Sequence, residues 1–151
     1  MERRRGDLYV IATSDDETRA ALVEAKRLAA GADDHRVVLL VPHLVSFDAA
    51  RGADQHTPGD ITERFRALVF EIGLAVTVRL CFCRTRDDAF RWMLAEHSVV
   101  VVGGRRRSWW PSAVERMARR LIGDGHEVVF AAVRSKSRPA RVRVEQPHAS
   151  R

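Results

Sequence analysis

Cysteine, tyrosine and long apolar runs are scarce in this chain. Its 151 residues include two cysteines and one tyrosine, and aromatic residues make up 7% of the total. No stretch approaches the roughly 18 apolar residues that cross a membrane. The apolar run after Arg5 ends at Asp15, which is too short for the core of a signal peptide. We therefore predict a cytoplasmic protein that does not contact a membrane.

The two cysteines are not expected to form a disulfide. Cys81 and Cys83 stand two positions apart in a predicted strand, so their side chains share one face but need severe distortion to bond to each other. A structural zinc site needs four ligands, and the chain has no second cysteine pair. We interpret both residues as reduced, structural thiols.

Signatures of catalysis are also missing. The sequence contains no Gly-x-Ser-x-Gly elbow, no His-Glu-x-x-His pair and no phosphate-binding P-loop. Four histidines lack the spacing of metal ligands: His43, His56, His97 and His126. We therefore expect a protein that binds rather than catalyses, with no metal site.

The charge of the chain is concentrated at its C-terminus. The formal net charge is +6, and residues 134–151 carry six basic side chains against one acidic one. The rest of the chain is therefore close to neutral, which is not typical of a polyanion-binding surface. We predict one domain over 1–133 and a basic tail over 134–151 that lacks the apolar content to pack.

Apolar runs that alternate with amphipathic segments predict a three-layer α/β fold, with a parallel sheet covered by helices on both faces. The five predicted strands are 8–13, 36–41, 75–82, 98–102 and 127–133. The first, second and fourth are nearly continuous apolar runs, as expected for strands buried on both faces. In the third, Val76, Val78 and Leu80 alternate with more polar residues, which predicts an edge strand.

Capping residues and glycines delimit the four predicted helices. We assign the N-caps to Asp15 or Asp16, Asp60, Thr85 and Ser112. Glycines end the first, second and fourth helices: Gly31, Gly73 and Gly123. The connection from 43 to 59 is unusually long for this type of fold, and it fits either a lid over the strand ends or a loose insertion.

The fourth strand leads into the most informative junction of the chain. Gly103 and Gly104 end the strand, and three consecutive arginines follow ahead of the helix that begins at Ser112. Glycine allows close approach to the backbone, arginine pairs with phosphate, and a helix N-terminus attracts anions. We predict a nucleotide site here, with Arg106 or Arg107 and the Ser112 hydroxyl as ligands. The alternative interpretation is that the arginines are solvated and that Ser112 only caps its helix.

Two segments resemble the universal stress protein family. The first is Leu-Tyr-Val-Ile-Ala-Thr-Ser-Asp-Asp-Glu-Thr-Arg-Ala-Ala-Leu at 8–22, and the second is Val-Val-Gly-Gly-Arg-Arg-Arg-Ser at 101–108, followed by Ser-Ala-Val-Glu-Arg at 112–116. The arginine and tryptophan form of the second segment is most similar to the stress-protein module of potassium-uptake sensor kinases. The resemblance extends over residues 8–133.

This resemblance implies a Rossmann-like fold of the adenine-nucleotide alpha hydrolase type, with strand order 3-2-1-4-5 and a homodimer joined through the last strand. It also implies a non-catalytic stress or signalling module that binds ATP, AMP or cyclic di-AMP. The family's aspartate at the end of the first strand is displaced to Asp15 or replaced by Ser14. The residues expected at the site are Ser14, Asp15, Val41, Gly103, Gly104, Arg106, Arg107 and Ser112.

The predicted nucleotide loop is shorter than in family members that bind ATP. Those members carry Gly, two residues, Gly, nine residues, Gly and then Ser or Thr, so fourteen positions separate the first glycine from the hydroxyl. Here nine positions separate Gly103 from Ser112, Arg106 stands at the second glycine position and Pro111 at the last. We therefore expect a degenerate or retuned site whose loop does not wrap a triphosphate.

The sequence also supports two other functions. The first is a ligand-free homodimer that uses Trp109 and Trp110 to contact a partner protein. The second is nucleic-acid binding through the basic tail, which predicts an affinity that falls steeply with salt.

Overall fold

A computed structural model describes residues 6–31, 35–45, 57–105 and 112–133. The strands are β1 (Leu8–Ile11), β2 (Val37–Leu44), β3 (Val76–Cys83), β4 (Val99–Gly104) and β5 (Glu127–Ala132). The helices are α1 (Asp15–Ala30), α2 (Pro58–Ile72), α3 (Arg86–Met93) and α4 (Ala113–Gly123). The tail, the two tryptophans that follow β4 and most of the 43–59 connection lie outside the described residues.

The five strands form one parallel sheet in the order β3-β2-β1-β4-β5. The predicted α/β class and strand order are therefore confirmed, and β3 lies at an edge as its alternating pattern predicted. None of the helices in the described ranges is long and apolar enough to cross a membrane.

The core consists of two apolar layers, one on each face of the sheet. Successive residues of a strand point to opposite faces, so β1 and β4 contribute to both layers. Val10 and Val101 pack beneath α1 and α2, while Ile11 and Val102 pack beneath α3 and α4. All four are completely buried. This double burial explains why the central strands are continuous apolar runs.

The first helix begins one residue earlier than predicted. Ser14, rather than Asp15 or Asp16, has the extended backbone of an N-cap, and its hydroxyl accepts a hydrogen bond from the Glu17 amide. The two aspartates occupy the first turn, where their negative charge is favourable beside the positive end of the helix dipole. The predicted N-cap was therefore wrong, because a serine precedes the acidic pair.

The second helix also begins before its predicted cap. Thr57 is the N-cap, and Asp60 lies three residues later, where its carboxylate accepts the Thr57 amide in a complete capping box. The assignment of Asp60 as the cap was therefore wrong. The predicted caps of the other two helices, Thr85 and Ser112, are confirmed, since each accepts a hydrogen bond from the amide three residues on.

β2 extends beyond its predicted end at Val41 and continues beside β3 to Leu44. The Leu40 carbonyl accepts the Ala12 amide, so even-numbered residues of β2 direct their backbone groups toward β1. The backbone nitrogen of Pro42, which carries no hydrogen, therefore faces the side on which β1 has already ended at Ile11. A proline is tolerated there because no ladder hydrogen bond is lost.

Candidate functional site

The candidate site lies at the carboxyl edge of the sheet, between β1 and β4. These two strands are neighbours, but the connection from β1 leads by way of α1 to β2 on one side, whereas β4 leads by way of α4 to β5 on the other. In open α/β sheets, ligands bind at such a reversal, because the loops diverge and leave a crevice. Two adjoining clefts open at this edge.

The first cleft, which we call the serine cleft, lies between the N-termini of α1 and α4. It has a volume of 430 Å³. The lining residues are Thr13, Ser14, Glu17, Arg86, Arg105, Ser112, Ala113 and Val114. Both helix N-termini direct backbone amides and the positive ends of their dipoles toward this space. The cleft is therefore suited to an anion.

The second cleft, which we call the valine cleft, lies between the end of β2 and the start of α2. It has a volume of 350 Å³. The lining residues are Ala12, Thr13, Val41, Pro42, His43, Leu44, Asp60, Ile61, Arg64, Phe65 and Arg86. Apolar walls with a few polar groups are typical of small-molecule sites. Thr13 and Arg86 line both clefts, so the two spaces adjoin.

Arginine side chains dominate the electrostatics of the serine cleft. Arg86 follows the N-cap of α3, Arg105 follows β4, and both are exposed. Arg105 has an ion pair with Asp16 at 3.8 Å between its Nη2 and the carboxylate, and both side chains are more than half exposed. An ion pair this long and this exposed to water contributes little energy, so it does not prevent Arg105 from binding another anion.

The Thr13 hydroxyl is an additional polar group at the junction of the two clefts. The Thr13 amide donates to the Thr18 hydroxyl at 2.9 Å, which fixes the entry of the chain into α1. Its own Oγ1 atom is buried and has no hydrogen-bond partner among the described residues. A buried hydroxyl without a partner costs free energy, and a ligand group would relieve that cost.

The two glycines at the end of β4 have a packing role. A Cβ atom on Gly103 would lie 1.8 Å from the carbonyl oxygen of Glu17, so the strand and the first turn of α1 touch backbone to backbone. A Cβ on Gly104 would lie 2.8 Å from the Phe130 ring and 3.2 Å from the Val114 side chain. The atoms that approach these two glycines closely, and so exclude a side chain there, thus belong to the protein itself.

The structure brings together three of the predicted site residues. Ser14 and Ser112 both line the serine cleft, and the buried side chain of Val41 lines the valine cleft. Asp15 lines neither cleft and instead forms an ion pair with Arg64, at 2.7 Å between Oδ1 and Nη2. The two predicted arginine ligands, Arg106 and Arg107, lie outside the described residues.

Several residues that line the clefts were missed by sequence reasoning, among them Thr13, Arg64 and Arg86. Arg86 directly follows Thr85, the predicted N-cap of the third helix, and therefore stands at the same edge of the sheet as the glycine turn. The position of Arg86 directly after a predicted N-cap was the signal in the sequence that could have identified it as a site residue. Arg64 lies inside α2, and only the packing of that helix brings it to the cleft.

No protein-family model matches the chain, and no curated protein matches it either. Solved structures do match. A universal stress protein from Archaeoglobus fulgidus is 14% identical, with a TM-score of 0.51 over 83% of this chain and 92% of that one.

Two similar structures contain a nucleotide. A universal stress protein in complex with cAMP is 12% identical, with a TM-score of 0.53 over 85% of this chain and 98% of that one. A universal stress protein family protein from Arabidopsis thaliana with AMP bound is 13% identical, with a TM-score of 0.53 over 90% and 97% of the two chains.

This chain has the universal stress protein fold. The agreement covers nearly the full length of each matched structure, so the architecture expected from the sequence resemblance is confirmed. At such low identity the likeness concerns the fold, and function depends on the side chains at the site.

Proposed function

We propose that the chain is a non-catalytic signalling module that binds an adenine nucleotide at the carboxyl edge of its sheet. The observation that carries the proposal is the pair of adjoining clefts, one suited to an anion and the other partly apolar, which share Thr13 and Arg86. A nucleotide has the same two-part chemistry, with a flat base and a phosphate. The AMP and cAMP bound to two proteins of the same fold support this choice of ligand.

In this proposal the base occupies the valine cleft. Val41 and Phe65 supply apolar surface for the faces of the base, while Asp60 and His43 offer polar atoms at its rim. Asp15 acts through Arg64, because its carboxylate is paired with that guanidinium beside the cleft. The ribose then lies near Thr13, where the two clefts adjoin.

The phosphate occupies the serine cleft. Arg86 and Arg105 supply charge-assisted hydrogen bonds, and the amides at the starts of α1 and α4 supply further donors. The hydroxyls of Ser14 and Ser112 already accept hydrogen bonds from amides of their own helices, which leaves each hydroxyl proton available for donation. We expect Arg106 or Arg107 to add a further charge to this set, because both directly follow Arg105 in the sequence.

The ligand with one phosphate is favoured over ATP. Nine positions separate Gly103 from Ser112, which is too few to enclose three phosphates in the manner of the ATP-binding family members. We therefore propose AMP as the preferred ligand, with cyclic di-AMP as the principal competitor.

Isothermal titration of the full chain with AMP, ATP and cyclic di-AMP tests the proposal. We expect AMP to bind most tightly and Arg86→Gln to weaken its binding by roughly tenfold, because a charge-assisted hydrogen bond is lost. Arg91→Gln is the matched control, since Arg91 lies on the same helix but lines neither cleft. The absence of heat with all three nucleotides at high micromolar concentration, or an equal effect of both substitutions, would contradict the proposal.

A second function is favoured by the open edge at β5. Among the described residues β5 pairs only with β4, and its outer side borders a groove of 930 Å³ next to α1. Ala20, Val23 and Val133 are among the residues that line this groove. A strand edge without a partner, bordered in part by apolar side chains, is a template for a second strand. We propose a homodimer joined along β5.

Light scattering at tens of micromolar protein tests the dimer. We expect Ala132→Lys to produce a monomer, because Ala132 is exposed beside the groove and a lysine there opposes strand addition. Thr77→Lys, an exposed position on the opposite edge strand β3, should leave the dimer intact. A monomeric wild-type protein would exclude this second function.

A further inference from the structure

The edge strand β3 carries two cysteines that the nucleotide proposal does not use. Cys81 and Cys83 lie opposite Pro42 and Leu44 of β2 and share one face of the sheet. Both thiols are free and only partly buried. They lie in the last three residues of β3, just before the N-terminus of α3.

The two thiols occupy neighbouring positions on one face of β3, because Cys81 and Cys83 lie two residues apart in that strand. Burial raises the pKa of the Cys83 thiol above its usual value, and the charge and hydrogen bonding of the Cys81 thiol raise it further. The other contacts of the sulfurs are long, at 3.7 Å from Cys83 Sγ to the His43 carbonyl and 3.9 Å from Cys81 Sγ to the Phe82 carbonyl. Neither thiol is therefore committed to a strong hydrogen bond elsewhere.

The spacing of Cys81 and Cys83 along the strand is unfavourable for a disulfide but compatible with a bridging ion. Residues two apart on a strand have Cα atoms about 6.6 Å apart, near the upper limit for a disulfide, and their side chains run parallel rather than converging. A sulfur–sulfur bond spans only about 2 Å. An ion with two thiolate bonds of about 2.3 Å spans up to about 4.6 Å between the sulfurs.

We propose that Cys81 and Cys83 form a two-thiolate site for monovalent copper. Soft thiolate ligands select this ion, and it accepts linear two-coordinate binding. Zinc does not fit, because it requires about four ligands and no group of three His, Cys, Asp or Glu side chains in the described ranges is arranged to hold a metal. Binding displaces one proton from each thiol into solvent and forms two sulfur–copper bonds, with no change in oxidation state.

The charges around the site are nearly balanced. Asp88 raises the pKa of Cys83 and Arg86 lowers it, so the start of α3 brings one charge of each sign to the thiol. The pair of thiolates with one monovalent cation carries a single net negative charge. The guanidinium of Arg86 favours this anionic loaded state, and the carboxylate of Asp88 opposes it.

Anaerobic titration of the reduced full chain with monovalent copper, buffered by a competing chelator such as bathocuproine disulfonate, tests the site. We expect one copper ion per chain and displacement of two protons per ion, measured in weakly buffered solution. Cys81→Ser and Cys83→Ser should each lose binding to the level of the double variant. Met117→Leu should bind as the wild type does, which controls for uptake by the thioether of a methionine outside the site.

This inference would be overturned by no binding, by two ions bound independently, or by single-serine variants that retain wild-type affinity. Proton release is measured on the wild type alone, so it decides the question even if a serine variant does not fold. A release of one proton per ion would also overturn it, because it would mean that only one thiol binds.

Discussion

The polar groups at the amino edge of the sheet, where the strands begin, are paired differently from those at the carboxyl edge, where the strands end. At the amino edge the groups pair with one another: Arg36 donates to both oxygens of Asp7, and the Ser98 amide donates to Nδ1 of His126. At the carboxyl edge Arg86 and Arg105 are exposed, and the Thr13 hydroxyl is buried without a partner among the described residues. The amino edge pairs these groups within the fold, whereas the carboxyl edge leaves the two arginines and the Thr13 hydroxyl available for a ligand.

The largest expected effect concerns a residue at the carboxyl edge whose role is nevertheless structural. Gly103→Ala should reduce the free energy of unfolding by about 3 kcal/mol or more, because its methyl group would overlap the Glu17 carbonyl and push α1 from the sheet. Urea unfolding measures this loss. Gly123→Ala is the control, since a Cβ there meets nothing within 4 Å and the substitution should stabilise α4. Equal stability of the two variants would contradict the packing role of Gly103.

The second effect separates ligand binding from stability. Arg105→Gln should weaken AMP binding by roughly tenfold and leave the urea midpoint almost unchanged, because Arg105 lines the serine cleft and has only a long, exposed ion pair. Arg36→Gln at the amino edge should lower the urea midpoint and leave AMP binding almost unchanged, since it breaks the ion pair with Asp7 far from the clefts. If Arg36→Gln lowered AMP affinity as much as Arg105→Gln, the contrast between the edges would be wrong.

A third effect concerns a residue that serves both purposes. Ser112→Ala should destabilise the fold by about 1 kcal/mol, because the Glu115 amide loses its acceptor. It should also weaken AMP binding if the hydroxyl proton reaches the phosphate. Ser112→Asp keeps the cap but adds negative charge to the serine cleft, so it should restore stability and abolish AMP binding. Chemical unfolding and isothermal titration of both variants distinguish the two roles.

The smallest effect is a dependence of stability on pH at the amino edge. The hydrogen bonds from Arg36 hold the pKa of Asp7 below its usual value of 3.8. The ionised carboxylate therefore stabilises the fold above that pH, and this contribution disappears as the pH falls through the lower, folded-state pKa. Asp7→Asn should cost less than about 1 kcal/mol near neutral pH, since the pair is solvent-screened, and the difference from wild type should vanish in acid. A difference that persists in acid would mean that the amide perturbs packing.

Most of the fold could be predicted because its signals are local. The runs at the starts of β1, β2 and β4 are apolar on both faces, and such runs occur where helices cover both sides of a sheet. The alternation in β3 also identified an edge strand correctly. The errors occurred at strand ends, where β1 stops at Ile11 and β2 continues to Leu44, and at two helix starts, where a serine or threonine competes with nearby acidic residues for the N-cap.

The candidate site was less predictable because its geometry depends on contacts between distant segments. What fills the space beside Gly103 is the backbone of Glu17, and no property of the sequence near Gly103 identifies that neighbour. Glycine is therefore ambiguous, since it serves a ligand and a packed helix equally well. Arg86 was missed for a related reason, because its long side chain reaches both clefts from a helix that follows the edge strand.

The early end of β1 has a consequence for the shape of the binding surface. β1 stops at Ile11, opposite Leu40, whereas β2 and β3 continue together to Leu44 and Cys83. The strands therefore end at different levels, and the valine cleft lies beyond the end of β1, beside the last residues of β2. The floor of the cleft is formed where the chain leaves β1, at Ala12 and Thr13. A first strand that continued as far as β2 would pair with it across this space and make the cleft shallower.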